Sequence, residues 1–133
     1  MRIVRGVLGF LAGYAFVVLV TTYGFGLLRG HKPYHRAGLA IMTAAVAVAV
    51  TAGLGGGALG AWIARTPAIG LLVALPLVVE STWLIFIRPH DADFSRAFEL
   101  VGASTLIGCT VAGALLISRI RLRRPQPSSA PSF

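Results

Sequence analysis

The sequence predicts an all-α membrane protein, a bundle of four transmembrane helices, and three observations carry that prediction. Of 133 residues, 56% are hydrophobic and only 12% charged, about half the charged share of an ordinary soluble domain. The basic residues stand in short clusters between apolar runs and are not spread over one face. Four of those runs reach the roughly 20 residues that carry a helix across about 30 Å of hydrocarbon.

The first run, 6–28, follows the two arginines of MRIVR and contains no charge. It outlasts the apolar core of a signal peptide and ends in TTYGFGLLRG, with no small-x-small cleavage site, so an uncleaved span is expected. Pro33 and the basic loop Arg29–Arg36 stop it. The second span, 37–64, is longer than a perpendicular crossing needs. It is expected either to tilt or to bend at Gly55-Gly56-Gly57, since each glycine weakens a helix by about 1 kcal/mol relative to alanine. The same glycines form two small-residue rows, Gly53, Gly57, Ala61 and Gly56, Gly60, Ala64, with a shorter row at Gly9 and Gly13 in the first span. Such rows let another backbone approach, either within one chain or across a homodimer seam.

Arg65-Thr66-Pro67 turns the chain, with proline in the first turn of the third span, 67–87. Pro76 lacks the N–H that would bond the carbonyl of Leu72, which predicts a kink one turn before Glu80. Asp91 and Asp93 precede the fourth span, 97–118, where they are expected to favour the positive end of its dipole. Glu99 lies in the first turn, within reach of the interface. The four-span domain thus covers 1–118. Residues 119–133 are basic, then Pro/Ser-rich, and are expected to be a disordered tail held by anionic lipid headgroups.

A formal net charge of +8 would suit nucleic acid, but charge that flanks apolar spans speaks for lipid as the partner and not for nucleic acid. Both termini fall on one side with seven of the 12 basic residues, which predicts cytoplasmic termini. The lone Cys109 is expected to pack within an apolar run. The outer loops share the order Arg, x, His, then an aromatic, x, Arg, Ala, beginning at Arg29 and Arg88, so a duplicated two-helix hairpin is a further expectation.

The chief chemical lead is Glu80, the acid deepest in a span. A charge at that depth costs on the order of 2.5 to 3.5 kcal/mol on insertion scales, so the group is expected to be neutral, partnered or facing a polar cavity. It lies about 12 Å inward from Arg88. Equal counts from the other outer ends reach Thr21, Thr22, Thr43, Ser104 and Thr105, which with Ser81 and Thr82 predict a hydroxyl layer around the acid. That layer either holds the bundle together or serves a proton or cation site. His31, His35, His90, Asp91 and Asp93 gather at the outer face, but Pro33 breaks the His31–His35 spacing and no compact metal motif is present. Neither metal nor other cofactor is expected. No nucleophile–base pair or phosphate loop with a following Lys-Ser/Thr stands in the sequence, and an enzyme is not expected.

The opening RIVRGVLGFLAGYAF, the second-span end GLGGGALGAWIAR and the closing AGALLISRIRLRRP resemble the numerous small, uncharacterised four-helix proteins of bacterial inner membranes. The resemblance implies a location and no activity. Small multidrug transporters are similar in size and also use a membrane glutamate, but theirs lies in the first span, which here has no acid. The reading is therefore a non-enzymatic inner-membrane protein, an accessory or self-associating bundle that forms a homo-oligomer or joins a larger membrane complex. The alternative is a small proton- or cation-coupled transporter using Glu80.

Overall fold

The computed structural model describes residues 1–31, 36–89 and 95–123, and within them the chain is helical with no strand. Helix α1 covers Arg2–Leu27 and is followed by a short 3-10 turn, Arg29–His31. Helix α2 covers Leu39–Ala64. The third span is divided into α3, Pro67–Leu72, α4, Ala74–Thr82, and a π-helical turn, Trp83–Ile87. Helix α5, Arg96–Leu122, completes the bundle. The four spans are each long and apolar enough to cross a membrane, and no more than 28% of any span's apolar window is buried inside the bundle. Such proportions suit a multi-pass integral membrane protein, whose remaining helix surface meets lipid.

The helix ends follow local chemistry. Gly38 takes a φ of +100° ahead of α2, which delays that helix two residues beyond the expected start. At its other end Arg65 adopts the left-handed conformation, φ 60° and ψ 18°. Ser95 caps α5 by accepting a 3.2 Å hydrogen bond from the Phe98 N–H; the expected contribution of Asp91 and Asp93 lies outside the described residues. Helix α5 runs past Ser118 to Leu122, so residues 119–122, expected in the disordered tail, are helical. Two effects favour that last turn. Cations at Arg119 and Arg121 suit the negative end of the helix dipole, and Arg121 Nη2 donates 2.7 Å to the Trp62 carbonyl at the end of α2. Residues 124–133 lie outside the described part.

Helix α2 is the centre of the bundle, with α1 on one side and α5 on the other. It runs through Gly55-Gly56-Gly57 as one continuous helix. The glycines are occupied by close packing. A Cβ built at Gly9 would lie 2.7 Å from the Gly60 carbonyl oxygen, and one at Gly13 the same distance from that of Gly56. The other row meets α5, where a methyl at Gly57 would overlap the Thr110 carbonyl and one at Gly53 would stand 2.8 Å from Cys109 Cβ. Both rows therefore serve contacts within one chain. Cys109 packs here, as expected.

Helix α3 sits on α2 between α1 and α5, and Val73, Leu77, Val17 and Ala52 form the buried core. The helix breaks at Val73, where the missing Pro76 N–H leaves the Leu72 carbonyl without its usual partner. Beyond the break, α4 keeps its main packing with α5 alone. The first hairpin begins with an unbroken helix and the second with a divided one, so the two differ in their leading spans.

Candidate functional site

Because α4 has few contacts with α1 and α2 past the break, the half of the bundle away from the termini opens. A cavity of ≈ 360 Å³ lies there, walled by all four spans. Small side chains make the room: Ala45 and Ala49 on α2 face Gly102 and Ala103 on α5. The wall is mostly apolar, with hydroxyls from Thr21, Ser81 and Thr105 and one carboxylate, Glu99. Glu99, Gly102 and Leu106 share a helix face at i, i+3 and i+7, which brings the acid onto the cavity side. That spacing was the signal for Glu99; its first-turn position alone hid it.

Glu80 does not line the cavity. It is exposed on the outer surface of α4, and among the described residues it has no hydrogen-bond or ion-pair partner. The hydroxyl layer expected around it does not form. Counting inward fixes a residue's depth but not its direction, and consecutive helical residues point about 100° apart. Ser81 therefore turns toward the cavity while Glu80 turns away. The threonines are satisfied by their own helices. Thr21 donates to Val17 at 2.7 Å, Thr43 to Leu39 at 2.8 Å, Thr82 to Val78 at 2.7 Å and Thr105 to Val101 at 2.7 Å. Back-bonding to the i−4 carbonyl is the local option open to any helical threonine. Of the expected set, Thr21, Ser81 and Thr105 come together; Thr22, Thr43, Thr82 and Ser104 are exposed on the bundle's outside.

Just past Glu80 the helix widens. The Arg88 N–H bonds the Trp83 carbonyl at 3.0 Å, five residues back. Ile85, four residues after Ser81, is buried on the inner face, and Leu84 beside it also lines the cavity. Nothing in the composition announces this turn. Outward, Leu75, Val79, Trp83 and Phe86 form an exposed apolar strip that Glu80 borders.

Of the possible metal ligands in the two loops away from the termini, His31 lies in the exposed 3-10 turn, and His35, His90, Asp91 and Asp93 lie outside the described residues. Among the described residues no group of three or more His, Cys, Asp or Glu side chains is placed to hold an ion. Comparison with protein-family models, with curated proteins and with solved structures finds no match to this chain.

Proposed function

We propose that the protein is a non-enzymatic, self-associating membrane helix bundle whose contact face is the outer surface of α4 at Glu80. One observation carries the reading: a carboxylic acid in mid-span faces away from its own bundle with no partner among the described residues. Lipid offers that group nothing, at a cost of about 2.5 to 3.5 kcal/mol on insertion scales if it is charged. A neighbouring helix offers hydrogen bonds. A second copy related by a two-fold axis along the membrane normal presents its own Glu80 at the same depth. Two carboxyl groups can then bond one another whenever one carries a proton. The glycine rows are not free for this purpose, because α1 and α5 already fill them. The arginine asymmetry supports cytoplasmic termini, and the resemblance of the span ends to those of small bacterial proteins supports an inner membrane.

The second reading, a small cation-coupled transporter, has the cavity beside Glu99 in its favour. Cross-linking separates the two. Val79 is 70% exposed beside Glu80, and Leu116 is exposed on α5. With Cys109 replaced by alanine, Val79→Cys is expected to give a disulfide-linked dimer in native membranes and Leu116→Cys none. A cross-link of Val79→Cys to a chain of different mass would identify a larger complex. Absence of any Val79→Cys cross-link, or equal yields at both positions, would remove the self-association reading and leave the transporter.

A further inference from the structure

At the opposite end of the bundle from the cavity, a second groove of ≈ 790 Å³ runs between the start of α1 and the α2–α3 turn. Its charged end is formed by Arg2, Arg5 and Arg65. No carboxylate lines it, and none of the three guanidinium groups has an ion-pair partner among the described residues. Thr66 stands beside them, and its hydroxyl can donate to an anion there. Arg65 holds a left-handed backbone at the end of α2, a conformation that glycine adopts without strain and that helices commonly reserve for it. The turn carries a cation at that cost. From Arg5 to Leu11 the groove follows α1 for about 9 Å, walled by Phe10, Ile69 and Leu72.

We infer that this groove binds one anionic phospholipid, its phosphate among Arg2, Arg5 and Arg65 and an acyl chain along the apolar wall. Guanidinium pairs phosphate in bidentate fashion, and the wall gives a chain contact that a free phosphate would not use. A zwitterionic headgroup would bring its own cation among three arginines, which disfavours it. The site is separate from the arginines of α5, and the inference stands whether or not Glu80 marks an association face.

The test uses the purified full-length protein in mild detergent, incubated with phosphatidylglycerol or phosphatidylcholine of equal chain length and read by native mass spectrometry. One phosphatidylglycerol is expected to remain bound per chain, with phosphatidylcholine lost and retention falling as salt rises. At about five-fold per basic residue, R2Q/R5Q/R65Q should bind about a hundred-fold more weakly. R119Q/R123Q should bind as the native protein does. R65G, which relieves the backbone while removing the charge, should bind about five-fold more weakly and melt no lower; it decides the matter if the triple variant loses its helicity. Equal retention of both lipids, unchanged retention in R65G and the triple variant, or equal loss in R119Q/R123Q would overturn the assignment. So would displacement of the lipid by inorganic phosphate at matching concentration, which would mark a plain phosphate site.

Discussion

Replacing Gly9 by alanine tests whether the α1–α2 seam is as close as the structure has it. The added methyl would stand 2.7 Å from the Gly60 carbonyl oxygen, 2.8 Å from Ala64 Cβ and 3.0 Å from the Ala64 nitrogen, where ordinary contact begins at 3.4 Å. Two of those neighbours are helix backbone, so no side chain can swing aside. Helix α1 must withdraw by about 0.7 Å at this point. A gap of that size forfeits about a quarter to a half of each affected dispersion contact. Overpacking of this kind costs about 1 to 3 kcal/mol, and alanine returns up to about 1 kcal/mol of helix propensity, which leaves a net loss of about 0 to 2 kcal/mol. Gly108 supplies the control, because a Cβ there meets nothing within 4 Å. The same substitution at Gly108 should be neutral or stabilise by up to about 1 kcal/mol. Reversible unfolding in mixed detergent micelles, followed by helical circular dichroism, reads both. G9A as stable as G108A would refute the close approach.

Two further substitutions probe features that shape the site. Pro76→Ala restores the N–H that Leu72 lacks, and it should straighten the third span and narrow the cavity. A kink of about 20° carried over about 15 Å displaces the far end by about 5 Å, so spin labels at positions 22 and 86 should move closer by that amount; an unchanged distance would detach the break from the proline. Arg121→Gln removes the hydrogen bond to the Trp62 carbonyl, at a cost of about 1 kcal/mol. Amides in the last turn of α2 should then exchange faster, and unaltered exchange there would show that α5 does not hold that end.

The four spans were legible because their signal is length and composition, and the expected ranges agree with the helices to within about a turn. The break before Glu80 was legible because Pro76 acts locally on Leu72. The direction of side chains was not. In a soluble helix an apolar stripe marks the inner face; here apolar residues serve lipid and core alike, and most of each span faces outward. Hence Glu80 was expected inside a hydroxyl layer and stands outside the bundle, while Glu99, set aside near a helix start, lines the cavity. The glycine rows announced close approach but not the neighbour, because the partner of Gly57 is Thr110, 53 residues away in the chain. The π-helical turn at Trp83–Ile87 has no compositional mark at all.

Self-association in a bilayer, measured by energy transfer between labelled copies diluted through lipid vesicles, bears most directly on the role of Glu80. The native protein should associate, and Glu80→Gln, which keeps a donor and an acceptor, should remain within about two-fold of it. Glu80→Leu should associate more weakly by about 3- to 20-fold, as expected for hydrogen bonds between membrane helices of about 0.6 to 1.7 kcal/mol. A native protein that stays monomeric, or a leucine variant that associates as tightly as the native chain, would contradict the account.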